Sequence, residues 1–473
     1  MIKNFNEFEK YLKEKNPFKG KYFAWNGKRY FDAFQFITFM PIHLIICVDY
    51  GIDTEKYENK FKILSIEKER KKRREWHHIS EETFQGKFGE KVKKFILGLG
   101  KKVYLLTYHS SKDIEKFISE NPDKIKLLGP KIEMKDYLDC KTTLPQDLAR
   151  IGVIPNLEEI TDIQELDFIS SKEKYGIPFV LQWGIGDSGS GTFFVKTEEE
   201  FNRLKNEIPP QEVKIAKYIK GYSIAICAVV YRDSVVLSQP NIQVCGQPEC
   251  VSKSTTYCAT DFTASSEFTD KRMSHIYDYT LKIGEWMKAK GYRGLFGIDF
   301  ITTDEDLDNI YVCEVNARFT GEGRFYSFYQ KREGYVPLQF FHLAEYLNID
   351  IPRDEIETYN NSLKPLKGSC ITLHNILPSD IKVGENLGPG IYKIKDGKLK
   401  YLRDGISLLD LKDEDEFVIG CAVPPRGEII EPGASILRIQ TYKSVFETKT
   451  KRFYSWVRDL IHIVRKKLDL TPV

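Results

Sequence analysis

Four residues near the middle of the chain have types and spacing that could do chemistry. The segment Leu295-Phe296-Gly297-Ile298-Asp299-Phe300-Ile301 reads as a strand with one acid at its centre. After a turn-like stretch, Asp304 to Asn309, the segment Ile310-Tyr311-Val312-Cys313-Glu314-Val315-Asn316-Ala317-Arg318 reads as its hairpin partner. Side chains alternate along a strand, so Glu314, Asn316 and Arg318 project to one face, and Asp299 can stand beside them across the ladder. Two carboxylates and an amide oxygen are hard ligands that suit Mg²⁺ or Mn²⁺ bridging phosphate oxygens. A guanidinium two positions beyond suits a phosphoryl group in transfer. The flanking apolar residues make these strands mostly buried, where polar side chains need partners or a ligand.

A second segment points the same way. The strand Ile177 to Gln182 runs into Trp183-Gly184-Ile185-Gly186-Asp187-Ser188-Gly189-Ser190-Gly191-Thr192, and a further strand, Phe193 to Val195, follows at once. Gly and Ser let backbone N–H groups approach an anion closely, so the loop can cradle phosphate. No Gly-Lys-Ser or Gly-Lys-Thr ends it and no helix begins at its last glycine, which excludes the two common nucleotide loops. Thr197 with Glu200 has the spacing of a helix capping box.

These elements need a body to hold them. Residues 1–135 alternate strand-like and helix-like pieces: a charged helix near the start, the buried-strand run Ile42 to Val48, strands at Phe61 to Ile66 and Val103 to Thr107, and helices at Glu81 to Leu99 and Lys112 to Glu120. Such alternation implies an α/β domain on a parallel sheet. Residues 136–350 mix helices with antiparallel-looking strands and hold the chemistry. Residues 360–446 are rich in Gly and Pro with short strands at Gly368 to His374, Glu416 to Cys421 and Ser435 to Gln440, suggesting a compact β-rich lobe. Residues 447–473 close the chain with a basic amphipathic helix, Lys449 to Leu468, able to meet a partner or touch an anionic membrane, with packing on its own body the favoured reading and a membrane not expected as a partner.

Composition bounds the class. The 473 residues suit about three domains. With 41% hydrophobic and 29% charged residues the chain is globular rather than disordered. The 71 basic residues nearly balance 68 acidic ones, which argues against nucleic acid as a partner. Nine cysteines with no paired framework read as reduced thiols, no apolar run is long enough to span a membrane, and the polar start is no signal peptide, so a cytoplasmic protein is expected.

Other tempting residues have bland readings. The basic run Lys68 to Arg74 and the following Trp76-His77-His78 read as a solvated connection rather than a phosphate grip or a metal pair. Cys245, Cys250 and Cys258 lack the spacing of a zinc knuckle and a partnered histidine, so they read as buried or incidental thiols. Lys253 and Arg324 could anchor a substrate carboxylate or be ordinary charges. His374 and Arg426 have no role assignable from spacing.

Taken together, the Gly-rich loop between two strands, Gly297-Ile298-Asp299-Phe300 and Glu314-Val315-Asn316-Ala317-Arg318 resemble the ATP-grasp superfamily, in particular its carboxylate–amine ligases. Asp139-Cys140-Lys141 ahead of Ile151-Gly152-Val153-Ile154-Pro155, and Ala216-Lys217-Tyr218-Ile219-Lys220-Gly221, are similar to further segments of that family. The likeness runs over about residues 40–350, and its specific part is the Asp…Glu-x-Asn-x-Arg element. It implies an α/β fold with α+β lobes: an N-terminal parallel pre-ATP-grasp domain, a two-lobed ATP-grasp domain, a small β-rich C-terminal lobe and a terminal helix. By the resemblance, Lys141 and Gln182 would meet nucleotide phosphate, Asp187, Ser188, Gly189, Ser190, Gly191 and Thr192 would close over the β- and γ-phosphates, and the backbone of Lys217, Tyr218 and Ile219 would meet adenine. Asp299, Glu314 and Asn316 would hold Mg²⁺ or Mn²⁺, and Arg318 would stabilise the transfer. The implied reaction activates a small carboxylate with ATP as an acyl phosphate, which an amine attacks; family members are often dimers.

Two residues depart from the family pattern. Gln182 stands where a second phosphate-binding lysine is frequent, and Ala216 where an acid is frequent. They keep two alternatives open: a nucleotide-binding scaffold with degenerate catalysis, and a kinase on the same lobes.

Overall fold

The computed structural model describes residues 4–70, 72–74, 82–153, 156–184, 191–303 and 308–473. Its first layer is the expected parallel sheet, of strands β1 (Tyr22–Gly27), β2 (Leu44–Cys47), β3 (Lys62–Ser65), β4 (Val103–Thr107) and β5 (Ile125–Leu127) in the order β3-β2-β1-β4-β5. β2 is apolar and buried along its whole length, as a strand covered on both faces must be. Helices Gly86–Gly98 and Lys112–Glu120 pack against it, the second started by the Ser111 side chain accepting from the Ile114 N–H.

A small antiparallel sheet follows: β6 (Glu158–Asp162), β7 (Phe179–Trp183), β8 (Thr192–Val195) and β9 (Glu212–Lys217), in the order β6-β9-β7-β8. Phe168, Phe179, Phe201 and Leu204 form its core beneath helices Phe168–Tyr175 and Glu198–Glu207. The second helix carries the complete capping box of Thr197 and Glu200.

The large sheet begins with β10 (Ser223–Tyr231), β11 (Ser234–Leu237), β12 (Asn241–Cys245), β13 (Tyr257–Asp261), β14 (Gly294–Thr302) and β15 (Ile310–Asn316). The β-rich region adds β16 (Ser369–His374), β17 (Ile381–Val383), β18 (Gly390–Lys395), β19 (Lys398–Arg403), β20 (Phe417–Gly420), β21 (Ile429–Ile430) and β22 (Ser435–Thr441). All except β17 and β21 lie in one eleven-stranded sheet, ordered β15-β14-β10-β12-β13-β16-β22-β20-β18-β19 with β11 on β10. The join is β13 to β16, where Ala259 faces Ile371 and Asp261 faces Ser369. Asp261 is fully buried there. Its carboxylate accepts from the N–H groups of Ala264, Val445 and Phe446 and from the hydroxyls of Ser369 and Ser444. Asp53 plays the matching part at the parallel sheet, accepting from the N–H groups of Ala422 and Val423.

Two expectations need correction. The closing helix starts at Ser455 rather than Lys449, because a short hairpin, Phe446–Glu447 with Arg452–Phe453, precedes it and Lys451 takes a left-handed turn at φ 55. Its apolar stripe of Val457, Leu460, Ile461 and Val464 is buried against the body. The basic run is not simply solvated either. Arg73 is buried; its guanidinium meets Glu428 at 3.0 Å and donates to the carbonyls of Tyr50 and Ile436, both at 2.7 Å. Lys71, Trp76, His77 and His78 lie outside the described residues. Among the described residues no helix is long and apolar enough to cross a membrane.

His342 ties the parallel sheet to β14. Its Nδ1 accepts from the Leu295 N–H at 2.9 Å, and its Nε2 faces the Leu128 carbonyl at 3.0 Å, so Nε2 carries the proton. Burial pushes its pKa down to about 4. A histidine kept neutral in the folded state contributes stability that is complete above its unfolded value, about 6.5, and is lost as pH falls from there towards 4. We expect His342→Gln to flatten the pH dependence of unfolding free energy between 6.5 and 4 by up to about 1.4 kcal/mol per pH unit. Urea denaturation at several pH values checks this, and parallel curves for the two proteins would refute it.

Candidate active site

β14 and β15 pair antiparallel with Asp299 directly opposite Glu314 and Gly297 opposite Asn316, and a bulge follows Asp299. Both side chains of the acid pair therefore stand on one face, as the alternation required. Asn316 Nδ2 donates to Asp299 Oδ2 at 3.2 Å. Loss of water around Asp299, then the negative charges of Glu322 and Glu314, push its pKa well above the carboxylate range, against the pull of Arg318. Carboxylates that repel one another are relieved by protonation or by a cation, and two acids with an amide oxygen offer hard donors to a divalent ion. Among the described residues no three His, Cys, Asp or Glu side chains converge as a metal cluster.

Lys141 and Arg318 flank the acids. Lys141 is buried, and its ammonium meets Glu314 at 3.0 Å. Its backbone N–H donates to the Gly184 carbonyl just after β7. Arg318 lies just beyond β15, its Nη1 donating to the Tyr108 hydroxyl at 3.2 Å and its Nε 3.7 Å from Asp139. Asp139 is held in turn by Lys135 at 3.2 Å and accepts from the Ala317 N–H. Desolvation raises the Asp139 pKa, and Arg318 and Lys135 oppose that rise. The guanidinium is thus aimed by the domain carrying Tyr108 and by the segment carrying Asp139.

The small sheet supplies the opposite wall. Gln182 Nε2 donates to Thr192 Oγ1 across β7 and β8 at 2.9 Å. Gly191 closes the loop where a Cβ would come within 2.4 Å of the Trp183 indole nitrogen, so no side chain fits. Asp187, Ser188, Gly189 and Ser190 lie outside the described residues. At the end of β9 the Lys217 N–H donates to the Leu157 carbonyl and the Lys217 carbonyl accepts from Asn156. The turn into β10 passes so close to β14 that a Cβ on Gly221 would lie 1.7 Å from the Thr302 carbonyl oxygen.

The chain residues 169–322 match the ATP-grasp domain family. Over that segment, a third of the chain, the sequence is similar to ATP-grasp domains. Its curated relatives include the [butirosin acyl-carrier protein]--L-glutamate ligase of Niallia circulans, 28% identical over 145 residues, which is 30% of this chain and 33% of the relative. The arginine-specific large chain of carbamoyl phosphate synthase from Halalkalibacterium halodurans is 24% identical over 199 residues, 41% of this chain and 18% of the relative. The matches thus span a third or less of those relatives' lengths. Solved structures are similar in fold over nearly the whole chain. The ADP complex of N5-carboxyaminoimidazole synthetase from Staphylococcus aureus gives a TM-score of 0.53 at 11% identity, covering 91% of this chain and 96% of that one. The MgADP complex of the Hydrogenobacter thermophilus 2-oxoglutarate carboxylase biotin carboxylase domain gives 0.57 at 12% identity, covering 90% and 86%.

Against the ATP-grasp expectations, Lys141, Asp299, Glu314, Asn316 and Arg318 come together, with Gln182 and Thr192 on the facing lobe. Arg324 does not stand open to a ligand: it is buried with its guanidinium 2.7 Å from Asp32. Lys253 is exposed between β12 and β13. Cys250 and Cys258 are buried thiols, Cys245 is partly so, and all nine cysteines are unbridged. Sequence reading missed Glu322, Tyr108, the aiming role of Asp139 and the buried Lys214 of β9. Lys214 lies two positions before Ala216 and hence on the same face, which was the one available signal.

Proposed function

We propose that the protein is an ATP- and Mg²⁺-dependent ligase that joins a small carboxylate to an amine and releases ADP and phosphate. What supports this best is the Asp299, Glu314 and Asn316 donor set on one hairpin, with Lys141 on one side and Arg318 on the other. Asp299, Glu314 and Asn316 would hold the metal, which neutralises phosphate charge when bound. Lys141 would bind phosphate oxygens and Arg318 would orient the γ-phosphoryl group and stabilise its developing charge. A carboxylate oxygen of the acid attacks the γ-phosphorus and the bond to ADP breaks. The amine nitrogen then attacks the acyl carbon, forming the C–N bond as phosphate leaves and the nitrogen loses a proton. Closure of the β7 to β8 lobe over the β14 to β15 hairpin would exclude water from the acyl phosphate. The L-glutamate named in the curated relative is the first acid to test.

A scaffold reading gains from Gln182 and Ala216, which depart from the usual charged pattern. One experiment separates the two. Thermal unfolding is followed with ATP, with and without Mg²⁺, and ADP release is then assayed across a panel of acids and amines. A ligase shows a Mg²⁺-dependent rise in Tm that weakens in Glu314→Gln, since ligand at 100 times its Kd adds about 2.7 kcal/mol, and it forms ADP only when acid and amine are both present. ADP formed with the acid alone and no amine consumed would make it a kinase, and binding without turnover a scaffold. No Tm shift with any purine nucleotide would refute the proposal.

A further inference from the structure

Lys214 is a buried cation between β9 and β15 that the site described so far leaves unused, and it is 3% exposed. In the small sheet Thr192 faces Gln182, and Gln182 faces Lys214 across the next pair of strands. Cross-strand partners share a face, so these three polar side chains form one row. The next row places Glu158 opposite Ala216. Lys214 Nζ reaches diagonally to Glu158 Oε2 at 3.5 Å and to the Cys313 carbonyl of β15, also at 3.5 Å. Cys313 immediately precedes Glu314, which Lys141 holds from the other side at 3.0 Å. Two buried ammoniums therefore arrive at adjacent residues of the same strand from different parts of the chain.

The contacts of Lys214 are long for a buried ammonium. Such a group has three donors to satisfy and binds charged acceptors at about 2.7–2.9 Å when it is fully engaged. Gln182, the residue beside it, can offer a phosphate oxygen a hydrogen bond but no charge. A polyphosphate entering between the small sheet and β15 would meet the Lys214 ammonium a strand's width from Gln182, about 5 Å away.

We propose that Lys214 is a phosphate-binding residue of this chain, supplying from β9 the positive charge that β7 lacks at Gln182, with Glu158 as its counter-ion until an anion arrives. The inference rests on the nucleotide-binding part of the proposed function and adds a residue to it. Lys214 serves the di- and triphosphate portion, so its contribution is absent for AMP.

Calorimetric titration of the full chain with ADP and with AMP, in Mg²⁺, tests this. Lys214→Gln is expected to weaken ADP by about tenfold to a hundredfold, the loss of a charged hydrogen bond, and to leave AMP unchanged. The exchanged pair, Gln182→Lys with Lys214→Gln, should recover most of that loss. Glu158→Gln, which frees the ammonium and deletes no site cation, should tighten ADP severalfold, and it keeps the inference testable if Lys214→Gln does not fold. Equal ADP affinity in wild type, Lys214→Gln and Glu158→Gln would overturn the inference, as would a loss shared by ADP and AMP that the exchanged pair fails to recover. If wild type binds ADP, those outcomes leave the ligase proposal standing. If folded wild type binds neither nucleotide, both fall.

Discussion

Arg318→Met is expected to lower kcat for ADP release by about 10²–10³-fold, the loss seen when one donor to a developing oxyanion is removed. KM for ATP should change little if, as proposed, Lys141 and the metal ligands hold the ground-state nucleotide and Arg318 acts on charge that grows in the transition state. The side chain is aimed by the Tyr108 hydroxyl at 3.2 Å and by Asp139 at 3.7 Å. Methionine keeps the bulk of the stem and removes the fork. Steady-state kinetics with saturating Mg²⁺ measure both constants, and a kcat within a few-fold of wild type would remove Arg318 from the chemistry.

The largest expected effect on stability lies away from the site. Asp261→Ala leaves three buried backbone N–H groups, those of Ala264, Val445 and Phe446, without their acceptor. At about 1–3 kcal/mol for each buried donor left unsatisfied, the loss should be of order 3–6 kcal/mol. It should fall on the seam where β13 meets β16, so the C-terminal third would loosen first. Chemical denaturation gives the free energy, and hydrogen exchange on the 440–447 segment gives the place. A loss below about 1 kcal/mol would mean that water replaces the carboxylate and that the seam is held by sheet pairing alone.

How much of this was legible beforehand follows from the range of each interaction. Asp299, Glu314 and Asn316 could be put on one face because strand alternation is local and the two strands are neighbours in sequence. The parallel sheet was readable from the wholly apolar run at Leu44–Cys47 set among helical stretches. Lys214 escaped because its meaning lies in register: nothing near it in sequence says that it stands opposite Gln182 and reaches Cys313. The burial of Arg73 escaped for the same reason, since Glu428 and Ile436 are far along the chain. The β-rich region read as a lobe because its strands alternate as any antiparallel strands do. That they extend the large sheet is decided at the β13 edge, by pairing between residues separated by some hundred others, among them the β14 to β15 hairpin and four helices. Local cues also misplaced the start of the closing helix, where the hairpin at 446–453 overrides a sequence with good helical character.

The β13 to β16 junction bears on how such a protein can be inherited and recombined. The segment that matches the ATP-grasp family ends at residue 322, yet the backbone pairing that finishes its sheet is supplied by residues 369–441. A gene fragment encoding the matched segment alone would leave β13 as a bare apolar edge inviting intermolecular pairing. It would also strip Asp261 of the Ser369, Val445 and Phe446 groups it holds. Exchange between relatives that respected the family boundary would therefore tend to yield aggregating chimaeras. A swapped piece would have to carry the C-terminal third with the matched segment, and the buried links of Asp53 to Ala422 and of Arg73 to Glu428 bind that third to the N-terminal sheet as well.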